Sequence, residues 1–113
     1  MKKHDTLVLE KILERINSLQ EFTVGMGSID DFLSDEKTKN ASAMVLIRIG
    51  ELTRHFTPEF QNNAPIPLSK MKALRNEIAH KYDGSLDFVS LWNTIQKSIP
   101  ELKSKIAELL ARQ

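Results

Sequence analysis

Three observations predict an all-α domain for this chain, a bundle of four or five helices. Apolar side chains recur at three- and four-residue intervals along most of its length. The few clusters of β-favouring residues never alternate with polar ones. Glycines, prolines and capping side chains interrupt the periodic runs where helices would begin and end. With 113 residues the sequence fits a single domain, residues 1–113, long enough to bury a core. It holds no internal repeat, low-complexity tract or linker.

The first helix is expected to be capped by His4, Asp5 or Thr6. It runs through Leu9, Ile12, Leu13, Ile16, Leu19 and Phe22 to a stop at Gly25 and Gly27. Ser28-Ile29-Asp30-Asp31 reads as a capping pattern for a short turn that carries Phe32 and Leu33. Ser34 can cap the next helix, with Asp35 and Glu36 well placed against its dipole. That third segment is the longest candidate, running through Ala41, Met44, Val45, Ile49, Leu52 and Phe56 to a stop at Thr57-Pro58. Apolar residues on more than one side around 45–49 mark it as the central helix. Gly50 in its middle costs about 1 kcal/mol of helix propensity, which predicts close approach by the helix that carries the chemistry described below. Arg48, Glu51 and His55 form a polar stripe, read as solvated or interfacial with Arg48 and Glu51 paired along the helix. One His and one Glu make no metal ligand set.

Residues 61–65 form a loop by composition, and a helix then opens at Pro67 and closes at Gly84. The final run carries Phe88, Leu91, Trp92, Ile95 and Ile99, then Leu102, Ile106 and Leu109, with Pro100 interrupting it. The last helix is therefore either kinked at Pro100 or split, the second piece starting at Ser98 with Glu101 completing a capping box.

Composition removes several classes of chemistry. Without cysteine there are no disulfides, no thiol catalysis and no Cys-based zinc site, which fits a reducing cytosol. After Lys2-Lys3 come His4, Asp5 and Thr6 instead of the apolar run of a signal peptide. The longest apolar run, residues 43–47, is far too short to span a membrane. A formal net charge of +1 is not that of a polycationic nucleic-acid coat, so any RNA site must gather its basic residues locally.

The chemistry is concentrated in Leu74-Arg75-Asn76-Glu77-Ile78-Ala79-His80-Lys81-Tyr82, followed by Asp83-Gly84. It combines a permanent cation, an amide, an imidazole and a phenol. Met71, Leu74 and Ile78 fall on one stripe of an amphipathic helix. Asn76 and His80, four apart, share another face, where the amide can orient the ring. Arg75 and Tyr82 share a third stripe. On a regular helix Arg75 and His80 point roughly 140° apart. Either Arg75 reaches around the helix, or a second chain completes the site. Each side chain also has an ordinary structural reading: His80 at the C-terminal dipole, Arg75 paired with Glu77 or Asp83, and Tyr82 half-buried with its hydroxyl in water.

The spacing Arg75-x4-His80-x-Tyr82 resembles the motif of the HEPN superfamily, specifically its HepT-like ribonuclease toxins. The resemblance extends to Ile49-Gly50-Glu51 in the preceding helix, to Ile66-Pro67 ahead of the motif helix, and to the run from Trp92 to Leu102 after it. It implies a metal-independent endoribonuclease that needs no cofactor and acts as a homodimer, with Arg and His meeting at the interface. Arg75 would bind the scissile phosphate with its planar fork of donors. His80 would act as general base or acid on the ribose 2′-hydroxyl or the leaving oxygen. Asn76 occupies the supporting polar position after the Arg, whereas Lys81, between His80 and Tyr82, departs from the family pattern and adds a cation that either contacts phosphate or is simply solvated. In these toxins the motif Tyr is the residue to which a partner nucleotidyltransferase antitoxin of the MntA type adds AMP from ATP, so Tyr82 would be the off switch.

Two functions follow as expectations. The first is the toxin of a type VII-like toxin-antitoxin pair, a cytoplasmic enzyme that cleaves RNA, with no membrane or DNA partner. The second, from another class, is a non-catalytic helical partner subunit of a minimal nucleotidyltransferase that presents Tyr82 without cutting RNA.

Overall fold

The computed structural model describes residues 1–113 and contains no strand. The apolar period of the N-terminal third forms α1, Lys3–Thr23, with Leu9, Ile12, Ile16 and Leu19 fully buried. Its start differs from the expected cap, because Lys2 precedes it and no side chain closes the first turn. Asp5 has been drawn into a tertiary role instead. Its carboxylate is buried and accepts hydrogen bonds from the Thr57 backbone N–H at 2.8 Å and the Thr57 hydroxyl at 2.7 Å. A charge taken out of water requires such partners, and only the chain at Thr57 supplies them here.

Ser28 caps α2, Ile29–Leu33, by accepting from Asp31 N–H. Phe32 drops from α2 into the core, 5.1 Å from Trp92 and 6.4 Å from Phe88 between ring centroids. Helix α3, Glu36–Leu52, is capped by Asp35 and not by Ser34. The Asp35 carboxylate accepts from Thr38 N–H at 3.0 Å, while Ser34 donates back to the Asp30 carbonyl to end α2. The backbone N–H of Thr38 holds the Asp35 carboxyl below its ordinary pKa. Leu46, Ile49 and Ala43 are buried along α3, which packs on both α1 and the helix of residues 68–81 and is the centre of the bundle.

A short 3-10 turn, Thr53–His55, leads to α4, Pro58–Asn62, capped by Thr57 and tied down by the stacked rings of Phe56 and Phe60 at 4.1 Å. Helix α5, Leu68–Lys81, carries the motif, and Gly84 beyond it adopts a φ of +124°. Asp87 then caps α6, Phe88–Asn93, accepting from the Ser90 hydroxyl and from the backbone N–H groups of Val89 and Ser90. The interruption expected at Pro100 takes the form of a widened π turn, Thr94–Ser98, through which α6 runs on into α7, Ile99–Ala111. Ser98 is helical and makes no capping bond, so the capping box with Glu101 does not form. A proline ring collides with the carbonyl four residues back, and a π turn that pairs Ile99 N–H with Thr94 O moves the backbone out of its way. Four long helices, counting α6 to α7 as one, thus enclose the core. None of them is long and apolar enough to cross a membrane.

Candidate active site on helix α5

Arg75 is positioned by the helix beneath it. A Cβ on Gly50 would lie 2.9 Å from the Arg75 Cγ and 3.0 Å from the Met71 carbonyl, so only glycine lets α5 ride directly on α3. The stem of Arg75 lies across this contact, the close approach that Gly50 predicts, although α3 ends at Leu52 and so holds the glycine in its last turn and not in its middle. Its guanidinium is held by Glu51 Oε2 at 3.5 Å and Asn76 Oδ1 at 3.2 Å. Both distances are long for charge-assisted bonds, and the side chain is about one-third exposed at 36%. The group is therefore aimed but not satisfied: a guanidinium has five donors, and only two are engaged, loosely. It faces a concavity of about 360 Å3 lined by Gly50, Glu51, Arg54, Lys72, Arg75 and Asn76, with no hydrophobic side chain.

His80 has the opposite surroundings. It is exposed in the last turn of α5 and makes no ion pair with any other residue of the chain. Because α5 is regular from Leu68 to Lys81, the roughly 140° between Arg75 and His80 stands, and Arg75 turns toward α3, away from His80. Asn76 does not orient the imidazole as expected, since its carbonyl oxygen accepts from Arg75. Lys81 pairs with Glu77 at 3.4 Å along the exposed side of the helix, and Asp83 accepts from the Ser85 hydroxyl. Neither Glu77 nor Asp83 pairs with Arg75. Tyr82 is more exposed than a half-buried core residue, at 42%, and its hydroxyl donates to Asn40 Oδ1 on α3 at 2.8 Å.

The stripe on α3 also differs from expectation. Glu51 turns to Arg75 and leaves Arg48 without an ion pair, while His55 lies beyond the end of α3 in the 3-10 turn. The tertiary partner wins because the Gly50 contact brings Arg75 against α3 one residue from Glu51. Two basic residues of the concavity, Arg54 and Lys72, were not singled out from sequence. Their spacing held the signal: Lys72 precedes Arg75 by three positions on its face, and Arg54 follows Glu51 by three. No group of three His, Asp or Glu side chains converges so as to hold a metal ion.

A family model described as "Ribonuclease HepT-like" matches residues 12–109. The chain belongs to the HepT-like ribonuclease family. It is 36% identical over 110 residues to the "Probable ribonuclease HepT" of Thermococcus cleftensis, covering 96% of this chain and 98% of that protein. It is 32% identical over 108 residues to "Putative RNase MJ1380" of Methanocaldococcus jannaschii, covering 94% and 97%. A third relative, "Putative RNase TTE0752" of Caldanaerobacter subterraneus subsp. tengcongensis, is 31% identical over 106 residues, with 93% of both chains covered. No solved structure matches the chain. The all-α bundle agrees with what the HEPN resemblance implies, and membership of this family supports a nuclease activity in general.

Proposed function

We propose that this HepT-like chain is the toxin of a type VII-like toxin-antitoxin pair, a metal-independent endoribonuclease that works as a homodimer. The observation that carries the reading is the division of Arg75 and His80 between two faces of one regular helix, one half-tethered and the other free. Such a pair serves one phosphodiester only when two copies bring their motif helices together around a two-fold axis. Arg75 exchanges its long contacts for a bidentate grip on the scissile phosphate, with Asn76 steadying it and Lys81 available to a neighbouring phosphate. His80 takes the proton of the ribose 2′-hydroxyl as O2′ attacks phosphorus. The P–O2′ bond forms, the P–O5′ bond breaks, and the 5′-oxygen receives a proton. The products carry a 2′,3′-cyclic phosphate and a 5′-hydroxyl.

Tyr82 is the proposed off switch. Its hydroxyl oxygen attacks the α-phosphorus of ATP held by an MntA-like nucleotidyltransferase, and pyrophosphate leaves. Its surface position makes the oxygen reachable, and modification removes the proton it donates to Asn40. The AMP adds a bulky anion on the stripe that Arg75 occupies, opposing RNA by occupancy and by charge. RNA and ATP as reactants place this chemistry in the cytoplasm.

The test is incubation of the purified protein with total RNA in excess EDTA, beside Arg75→Ala and His80→Ala. Wild type alone should cut, leaving cyclic phosphate ends. Cleavage by His80→Ala at the wild-type rate would remove His80 from the mechanism. A dimeric wild type that is inert while mass spectrometry finds Tyr82 unmodified would instead support the non-catalytic partner subunit.

A further inference from the structure

A concentration of positive charge lies mostly outside the motif helix. Six of the 16 Lys and Arg residues, Lys11, Arg15, Arg48, Arg54, Lys72 and Arg75, line two adjoining concavities of about 460 and 360 Å3. Only two of the 15 acidic residues, Glu14 and Glu51, do so. The concavities share Glu51 and Arg54, so they form one groove that runs from α1 across the C-terminal end of α3 to Arg75 on α5. Lys11, Arg15, Arg48 and Arg54 make no ion pair, although the chain as a whole carries nearly equal numbers of both signs. Like charges gathered in a groove raise its positive potential, and an anion relieves the repulsion among them.

We propose that this groove is the track for the phosphodiester backbone of a single-stranded RNA, with Arg15, Arg48 and Arg54 holding phosphates to one side of the scissile one at Arg75. The proposal rests on the ribonuclease reading for its choice of anion. Three features favour an RNA strand over a mononucleotide. The groove gathers six cations, more than the phosphate of one nucleotide can engage. It ends on the guanidinium that binds the phosphate to be cut. Its lining contains no Phe, Tyr or Trp, His55 is its one ring and Leu52 its one hydrophobic residue, so cations dominate and it suits contact with the backbone more than readout of the bases. The groove residues thus supply affinity, while Arg75 and His80 supply the chemistry.

The binding test uses the His80→Ala protein, which keeps RNA intact, and a short mixed-sequence single-stranded RNA labelled for fluorescence anisotropy over a range of salt. Each phosphate contact with a single strand adds about 0.7 to the slope of log affinity against log salt. Arg15→Ala/Arg48→Ala/Arg54→Ala should therefore lower the slope by about 2, with an affinity loss of about tenfold or more at low salt. Should the triple variant fail to fold, Arg15→Glu alone, on the exposed face of α1, should still weaken binding several-fold. A control that removes Lys97, Lys105 and Arg112 from the C-terminal helix changes net charge equally and should leave the slope unaltered. An unchanged slope in the groove variants, or an equal loss in the control, overturns the proposal. If the wild-type protein, with Tyr82 unmodified, cuts no RNA, the ribonuclease reading falls, yet the binding slopes still decide the groove.

Discussion

Arg75 and His80 stand five residues apart on one helix, and the fold treats them oppositely. Arg75 is built in: Gly50 makes room for its stem, Glu51 and Asn76 hold its head, and a concavity opens in front of it. His80 is left out on an exposed turn with no partner charge. In a bundle this small, side chains gain order mainly where two helices touch, and the α3–α5 contact lies on the Arg75 side. The difference teaches that the single chain preorganises the guanidinium of Arg75 but not the imidazole of His80. On the dimer proposed above, a second copy would supply what the single chain lacks.

The sharpest way to break this comparison is to truncate each side chain and read rate and stability separately. His80→Ala should lower the rate of RNA cleavage by about 10²–10⁴-fold, the usual contribution of a general acid or base. Its unfolding free energy should stay within about 0.5 kcal/mol of wild type, because nothing in the chain depends on the ring. Arg75→Ala should also lose cleavage, but with a measurable fall in stability, since its stem lies on α3. Initial rates on RNA and urea unfolding give both numbers. A His80→Ala protein as destabilised as Arg75→Ala would mean that the two positions are not differently built.

The same contrast explains what could be read from the residues alone. The helices were legible because their apolar period is strong, and Gly50 announced a close contact because glycine is otherwise costly in mid-helix. The motif spacing identified Arg75, His80 and Tyr82 as candidates and, through the 140° argument, showed that one helix cannot easily aim Arg75 and His80 at one phosphate. Hydrogen-bond partners were not legible. Asp5, Ser34, Asn76 and Glu51 all had plausible local partners along the chain, and Asp5 and Glu51 took distant ones while Ser34 and Asn76 took different local ones. Helix caps and i,i+4 pairs are worth about 1 kcal/mol or less, so packing between helices decides among them. The basic groove escaped notice for a related reason: its members come from α1, α3, the turn after it and α5, and only the tertiary fold brings them together.

A smaller effect sharpens the Arg75 side alone. Gly50→Ala gains about 1 kcal/mol in helix propensity, yet its methyl group meets the Arg75 stem and the Met71 backbone. Helix backbones cannot yield as a side-chain tip can, so α5 must shift away from α3. Overpacking of this kind costs about 1–3 kcal/mol, and a net loss of about 1 kcal/mol should appear in chemical unfolding. Cleavage should fall with it, because Arg75 moves relative to Glu51. Added stability with full activity would show that the α3–α5 contact does not position Arg75.

The smallest expected effect concerns acid, and it divides the molecule in the same way. Asp35 caps α3, the helix under Arg75, and Asp87 caps α6, after the loop that follows His80 and Tyr82. The Asp35 carboxyl is held below its ordinary pKa of 3.8 chiefly by Thr38 N–H, and the Asp87 carboxyl below the same value chiefly by the Ser90 hydroxyl. A carboxyl whose folded pKa is depressed stabilises the fold fully above the unfolded value, and that contribution disappears as pH falls through the folded value. Stability should therefore be flat with respect to these two groups above about pH 5 and decline below 3.8. Asp87→Asn retains a cap but not the titration, so it should flatten part of this acid limb. Hydrogen exchange tells the two ends apart: losing the Asp87 cap exposes the Val89 and Ser90 amides first, while amides beside Gly50 stay protected. Simultaneous exposure of both sets would mean that the loop after Tyr82 is as firmly built as the floor beneath Arg75.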